Sequence, residues 1–583
     1  MPPAARRSLH AALVCFGLEA VASCSSRGER SNSIASGGSG TVLSGGGNNS
    51  TAGTSVAAGG VTAPMAAAGG AAESGPYLTS LLPARIRRLA GAEYDTSVHS
   101  LLATARSPAS GPDFPPDLRQ DGFTVNDAQR VDEVIIQRLA DAADDLASEA
   151  QQNGELVRLA PCATNAYPAD CAKRFITEFG AKIYRRSLTN EEESALFTLY
   201  TVGADGVAYE DGIAHVMRGL LQSAGFLYLT ELGDRLPAAD GTLELTQDEI
   251  AASLSYFLTS GPPDHELLDK AAAGALTDPV EREAQARRIF ETNPLAQETT
   301  VRLVREWLGI DGIADSAKDS LIYPDFEREK PQIVAESKDF VRAVAFKSTG
   351  NVSELFNANW TVNSGPLAMY KITGNGPIAG SATLLGRVGI LNQAAFLATY
   401  ANAHESHPIF RGVAVTRRVT CFPLDSPASF NLQVVPPAPD PTMTTRQRFS
   451  VHPADSICAG CHDTIDPYGF SFEHFDGMGA YRDQDNGQRV DSSVVVALGG
   501  DLDGAYTDSN QLAMALGESD SVRECFARFM FRAATGTGDS FATPGEKEFI
   551  ALWRATPAAV RDNIVETLIA YVKSPTFTTR AAP

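Results

Sequence analysis

Three side chains in the last third of the sequence have a spacing that suits covalent chemistry. Cys458 and Cys461 are separated by two residues, and His462 directly follows the second cysteine. Two thiols at this spacing can add to the vinyl groups of haem as thioethers, while the adjacent imidazole binds the iron. The C-x-x-C-H pattern therefore predicts a haem c site, with Cys458 and Cys461 as attachment points and His462 as an axial ligand.

Other chemistry for this motif stays open. In an oxidising compartment, Cys458 and Cys461 could form a disulfide, which would leave His462 a bystander. Half of a zinc site is disfavoured because no second C-x-x-C and no H-x₃₋₅-H lies nearby. A thioredoxin-like redox role would need a βαβ context, which this part of the sequence does not offer.

A second axial ligand would complete an electron-transfer site, and methionine and histidine are the candidate types. Met478 lies sixteen residues after His462, in the segment FDGMGAYR, and is the candidate metal ligand. His474, Met514 and Met530 are further options, although a methionine at helical spacing is more often a core residue. A five-coordinate iron is the remaining alternative.

Four other cysteines form two candidate disulfides. Cys162 and Cys171 flank the turn-rich segment ATNAYPAD, which a local bridge could close. Cys421 and Cys525 are far apart in the sequence, and a bridge between them would tie the motif region to the last helices. Spacing alone proves neither pairing.

The N-terminus has the features of an export signal followed by a flexible tether. Residues 1–24 combine a positive start with a short apolar stretch, and their ending VASC resembles the lipobox of bacterial lipoproteins. Cys24 is therefore a candidate for lipidation, and the alternative is ordinary signal cleavage or no cleavage, with Cys24 incidental. Residues 25–80 are rich in Gly, Ser and Ala, which predicts a disordered linker. The expected location is the periplasm or cell surface, with an anchor that favours the outer membrane.

The body of the chain is predicted to be mainly α-helical. The helical period begins at about residue 81, where RIRRLAGAEYDTSVHSLL places Leu89, Tyr94 and Val98 on one face. Capping boxes, in which a Thr hydroxyl and a Glu three residues later satisfy open N–H groups, mark two further helix starts. They lie at Thr189 with Glu192 and at Thr246 with Glu249.

Strand signals are few, and the clearest is a hairpin. Asn486-Gly487 suits a type I′ turn, so a small β-hairpin element is expected near 480–500. The same acidic segment, DQDNGQRVD, lacks the spacing of an EF-hand calcium loop. His404 and His407 stand three residues apart, which could suit a metal, but Pro408 makes a solvated turn the favoured interpretation.

Composition narrows the classes of partner. The net charge of −22 disfavours a nucleic-acid surface, because a phosphate backbone would be repelled. No nucleophile elbow, phosphate loop or H-E-x-x-H is present, so an electron-transfer protein is favoured over an enzyme. Its redox partner is not indicated by the sequence.

Several long segments of the body match a known family. In chain order they are RRLAGAEYDTSVHSLL, AKRFITEFGAKIYRRSLTNEEESALFTLY, IAASLSYFLTSGPPDHELLDKAAAGALTDP with REWLGI, HPIFRGVAVTRRVTC with CAGCHDTIDPYGFSFEHFDGMGAYR, and VRECFARFMFRAATG. With these segments the chain resembles the cytochrome-associated domain-of-unknown-function family of secreted planctomycete and myxobacterial proteins, the series from one-five-eight-five to one-five-nine-five. The resemblance divides the body into five helical modules: 81–150, 160–232, 243–372, 383–482 (with the C-x-x-C-H motif) and 503–576.

The resemblance implies a cytochrome-like protein without an established activity. Cys458, Cys461 and His462 match the haem-attachment pattern, and Asp466, Pro467, Gly469 and Phe470 match the I-D-P-x-G-F sequence that follows it. Pro467 is expected to end the helix that carries the cysteines, since the residue before a proline avoids the α region. Asp466 would either cap the next turn or accept a hydrogen bond from the histidine, and the alternative is that Asp466-Pro467 only forms a turn.

These observations predict a lipid-anchored, c-type-cytochrome-like protein that takes part in electron transfer. The competing hypothesis is a haem-free surface scaffold or binding protein in which Cys458 and Cys461 form a disulfide.

Overall fold

The structure is a computed structural model. It describes residues 82–162, 168–205, 208–234, 236–363, 368–370, 376–379, 386–424, 437–450, 456–538 and 543–582, all of which belong to one compact unit, Pro76–Pro583. The predicted signal peptide with Cys24 and the predicted linker lie outside the described residues.

Helices dominate the described residues, as predicted. The 22 α-helices are α1 Gly91–Leu102, α2 Glu133–Gln152, α3 Glu155–Leu159, α4 Pro168–Tyr184, α5 Asn190–Ala204, α6 Tyr209–Leu221, α7 Ala224–Leu227, α8 Gln247–Thr259, α9 His265–Ala272, α10 Pro279–Thr292, α11 Pro294–Leu308, α12 Phe326–Lys347, α13 Val352–Asn357, α14 Ala394–Thr399, α15 Pro408–Ala414, α16 Thr445–Ser450, α17 Ser456–Phe470, α18 Ser509–Glu518, α19 Asp520–Thr535, α20 Pro544–Arg554, α21 Ala558–Arg561 and α22 Ile564–Lys573.

The strands among the described residues form five antiparallel pairs. They are β1 Arg85–Arg88 with β2 Tyr228–Glu231, β3 Thr242–Glu244 with β10 Thr579–Ala581, β4 Trp360–Asn363 with β5 Gly376–Ala379, β6 Gln484–Asp485 with β7 Gln488–Arg489, and β8 Val494–Val496 with β9 Gly504–Tyr506. The protein is thus mainly α-helical, with sheets of only two strands.

The first predicted helix starts later than expected. Arg85–Arg88 is the strand β1, and the helix begins at Gly91 after the extended residue Ala90. The prediction of helix at Arg85–Arg88 is wrong because β1 pairs with β2, which lies far along the chain. Local periodicity cannot reveal such a distant partner.

The predicted capping boxes and the predicted hairpin turn are confirmed by the structure. Both predicted capping boxes are present, at Thr189 with Glu192 and at Thr246 with Glu249. The predicted hairpin is also present: Asn486 and Gly487, with φ of 49° and 77°, connect β6 to β7. Positive φ at both central residues is the requirement of a type I′ turn.

Two hydrophobic clusters account for most of the buried core. One is built from residues between Tyr94 and Leu227, and the larger one from residues between Leu82 and Phe577. Most of the clustered residues of the first two predicted modules lie in the smaller cluster, and most of those of the later modules lie in the larger one. The module bounds themselves stay a prediction. Within the part of the chain that the structure describes, no helix has both the length and the apolar character needed to cross a membrane.

Two disulfides join the pairs of cysteines that the sequence suggested. Cys162 is bonded to Cys171, and Cys421 is bonded to Cys525. The second bond connects the chain just before the motif region to α19, near the C-terminus. Persistent disulfides are typical of oxidising compartments, so both bonds are consistent with an exported protein.

Candidate functional site

The C-x-x-C-H motif lies on α17. Residues three and four apart on a helix share a face, so the backbone positions of Cys458, Cys461 and His462 lie along one side of α17. The side chain of Cys458 is outside the described part of the structure. Cys461 carries a free, half-buried thiol.

His462 is held by a carboxylate one helical turn further on. Its Nδ1 lies 2.8 Å from Oδ1 of Asp466, and both side chains are largely buried. An ionised carboxylate only accepts hydrogen bonds, so Nδ1 of His462 carries a proton and donates it to Asp466. Of the two roles expected for Asp466, the structure shows the hydrogen bond with the histidine.

The prediction that Pro467 ends this helix is wrong. α17 continues through Pro467 to Phe470. A proline inside a helix normally weakens it, because its ring removes one hydrogen bond and crowds the preceding turn. Packing against α15 offsets that effect in the last turn.

The backbones of α15 and α17 touch where they cross. A Cβ added at Gly469 would lie 2.1 Å from the carbonyl oxygen of Pro408, and one added at Gly412 would lie 2.4 Å from that of Ile465. Side-chain atoms do not fit at such distances, so glycine is required at both positions. The two contacts also show that the helices run antiparallel.

A buried arginine on α15 fixes the turns that follow the motif helix. The guanidinium of Arg411 donates to the carbonyl oxygens of Phe472, Phe475 and Asp476 at 3.2, 2.8 and 2.6 Å. Burial lowers the pKa of Arg411 to about 10, which keeps it charged at neutral pH. The chain beyond α17 is therefore tied back to α15.

The candidates for a second axial ligand have different surroundings. Met478 is buried in the larger core, in a turn where its N–H donates to Oδ1 of Asp476 at 3.0 Å. His474 donates from Nδ1 to the carbonyl of Arg482 at 2.9 Å. Met530 is a core residue and Met514 is exposed. A role for Met478 as iron ligand stays a prediction.

The interpretation of His404 and His407 as a solvated turn is half right. His404 is exposed and lies 3.3 Å from Asp319, whereas His407 is buried and begins α15, where its Nδ1 accepts from the N–H of Phe410. Burial, together with the nearby charge of Arg411, lowers the pKa of His407 to about 4, so the ring is neutral. Among the residues with described positions, no group of three or more His, Cys, Asp or Glu is arranged to hold a metal ion.

Sequence reasoning missed a second polar cluster. Glu336 is buried in α12 and accepts from the hydroxyls of Thr361 and Tyr370 at 3.0 Å each. Arg387 stacks over the Tyr370 ring at 4.1 Å, and these residues line a cavity of about 10 Å³. The participants are scattered over the chain, so no local pattern could have revealed the cluster.

The motif residues fit the attachment of haem. The donor set is a free thiol, a second cysteine on the same helical face and an imidazole whose tautomer is fixed by a carboxylate. These are the groups needed for thioether bonds and for one axial bond to iron. They would hold haem through Cys458, Cys461 and His462.

The architecture and the motif define a multi-module helical protein with a C-x-x-C-H helix. Four family models match it, each described as a protein of unknown function: DUF1587 at residues 87–152, DUF1595 at 171–231, DUF1592 at 245–372 and DUF1588 at 387–485. Together they cover more than half of the chain, and each overlaps one predicted module. The chain therefore belongs to the cytochrome-associated family of domain-of-unknown-function proteins. No curated protein and no solved structure matches it.

Proposed function

We propose that the chain is an exported c-type-cytochrome-like protein that takes part in electron transfer. Cys458 and Cys461 would attach haem through thioether bonds, and His462 would be its axial ligand. The observation that carries the proposal is the contact of 2.8 Å between His462 Nδ1 and Asp466 on the helix of the two cysteines. When bound, haem supplies a site that gains and loses one electron.

The residues of the chain have separate tasks in this proposal. Two cysteines on one helical face fix the position of the group covalently. Asp466 orients the imidazole of His462 through Nδ1, so that Nε2 is the ring nitrogen that would bind iron. The α15–α17 crossing keeps the last turn of the helix, and with it Asp466, in place.

The competing proposal is a haem-free surface scaffold that is braced by a Cys458–Cys461 disulfide. It requires Cys461 to be oxidised, but the Cys461 thiol is free in the structure, while Cys162, Cys171, Cys421 and Cys525 are all paired. A free thiol in a protein that forms other disulfides favours the haem proposal.

Covalent haem retention tests the proposal. The full chain is expressed in a periplasm with haem-attachment machinery, extracted with acid acetone and measured as a pyridine haemochrome. The wild-type protein should keep a c-type band and gain roughly 0.6 kDa in mass. The C458A/C461A variant should lose both signals, whereas the matched C162A/C171A variant should keep them. Absence of the band from the wild-type protein would refute the proposal.

The axial ligand is tested with a second matched pair. H462A should retain the thioether bonds but show an altered visible spectrum, because it removes a bond to iron. H404A replaces an exposed histidine and should leave the spectrum unchanged. Identical spectra for both variants would exclude His462 as the ligand.

We also propose that a lipid on Cys24 anchors the protein to the outer membrane. The VASC ending supports it. Metabolic labelling with a fatty acid should mark the wild-type and C15S proteins but not C24S; equal labelling of C24S would contradict the anchor.

A further inference from the structure

The acceptor of the His462 hydrogen bond is a charged group shielded from water. The side chains of His462 and Asp466 are only 11% and 15% exposed. Among the described residues, His462 is the one hydrogen-bonding partner of the Asp466 carboxylate. Because water screens a shielded contact only weakly, the charge of the carboxylate acts directly on the imidazole.

A carboxylate acts on an imidazole differently from a neutral carbonyl group. It draws the Nδ1 proton toward itself and so raises the electron density and basicity of the ring as a ligand. A more basic ligand stabilises the oxidised, more positive iron more than the reduced iron. The negative charge of Asp466 acts in the same direction, because reduction removes one positive charge from its neighbourhood.

We propose that Asp466, through His462, lowers the reduction potential of the site and so favours its oxidised form. Asp466 is thus a positioning residue with an electronic effect. Bound haem would supply the one-electron chemistry, while Asp466 would hold the Nδ1 proton on the imidazole of His462. The inference rests on the proposed haem function.

Two aspartates on the same helix allow a matched test. D466N keeps the size of the side chain and an acceptor oxygen but removes the charge. D463N removes an equal charge from the exposed neighbour of His462. Redox titration of the haem-loaded full chain should give D466N a higher midpoint potential than the wild type. Loss of a ligand's hydrogen-bonding partner typically changes metal affinity by about 10–100-fold. A tenfold change in the reduction equilibrium corresponds to about 59 mV for one electron.

The midpoint potential of the control variant D463N should shift much less than that of D466N, because water screens the charge of Asp463. Equal shifts in D466N and D463N, or no rise in D466N, would overturn the inference while leaving haem binding intact. Failure of the wild type to retain haem would instead refute the proposed function. D466S provides a second variant; loss of haem from both D466N and D466S would make Asp466 a requirement for attachment and overturn a tuning role.

A measurement without haem checks the contact itself. Nitrogen-15 NMR of the haem-free protein should show His462 with its proton on Nδ1 in the wild type and in D463N. A proton on Nε2 in the wild type would contradict the arrangement on which the inference depends.

Discussion

At the scale of single residues, Glu336 is an acid in surroundings that disfavour its charge. Burial raises the pKa of Glu336 to about 7, although the hydroxyls of Thr361 and Tyr370 and the charge of Arg387 oppose the shift. The adjoining cavity of about 10 Å³ has the space for one water molecule. The carboxyl group is therefore protonated in the folded protein over a pH range in which it would be ionised in the unfolded chain.

This difference predicts a pH dependence of stability. The pKa of Glu336 is raised to about 7 in the folded state. Its contribution to the free energy of unfolding is therefore complete at a pH below the pKa that Glu336 has in the unfolded chain, and it is lost as the pH rises toward 7. The loss amounts to about 3 kcal/mol at 1.36 kcal/mol for each unit of pKa. In E336Q the side chain at this position does not titrate. The variant should therefore lack this part of the decrease in unfolding free energy with rising pH, measured by urea unfolding between pH 5 and pH 8.

E327Q is the control, because Glu327 is an exposed acid on the same helix. E327Q should keep the wild-type dependence of the unfolding free energy on pH. If E336Q loses stability with rising pH as steeply as the wild type, Glu336 is not the group responsible.

At the scale of elements, the crossing of α15 and α17 depends on glycine. G469A would bring a Cβ to within 2.1 Å of a backbone carbonyl oxygen, so the two helices must move apart. Overpacking of this kind costs about 1–3 kcal/mol, and we expect that loss in the free energy of unfolding measured with urea.

Gly460, on the same helix, provides the comparison. A Cβ added there meets no atom of the described residues within 4 Å, so G460A should be neutral or should stabilise α17 by about 0.5–1 kcal/mol. Equal stability of G469A and G460A would show that the helices do not touch at Gly469.

The same crossing explains which parts of the site the sequence could predict. His462 and Asp466 are four residues apart, so their contact follows from helical spacing and was foreseeable. The end of α17 was not foreseeable, because it depends on a contact between Gly469 and Pro408, which are distant in the sequence. This contact overrides the local rule that a helix ends before a proline. Most helices were predictable from period and capping, whereas β1 was missed because its partner is β2.

At the scale of the whole molecule, one carboxylate joins the beginning and the end of the described body. Glu231 on β2 accepts from Arg85 on β1 and from Arg580 on β10, each at 2.7 Å. Burial alone would raise the pKa of Glu231, but the charges of Arg580 and Arg85 outweigh it and lower the pKa below its usual range. The carboxylate is therefore ionised, and it is shared by two arginines that are themselves shielded from water.

Breaking this junction should have a large and pH-dependent effect. E231Q leaves two buried arginines without their shared anion, which should cost about 3–5 kcal/mol of unfolding free energy at pH 7. Because the pKa of Glu231 is lowered in the folded state, its contribution is present above the unfolded value of about 4.3 and is lost as the pH falls below it. The difference between wild type and E231Q should thus be smaller at pH 3.5 than at pH 7 in urea unfolding. E244Q, which alters an exposed acid on β3, should match the wild type at both values. If the difference in unfolding free energy between wild type and E231Q did not change with pH, the carboxylate would act through its shape rather than its charge. The two ends of the body would then be held together by strand pairing alone.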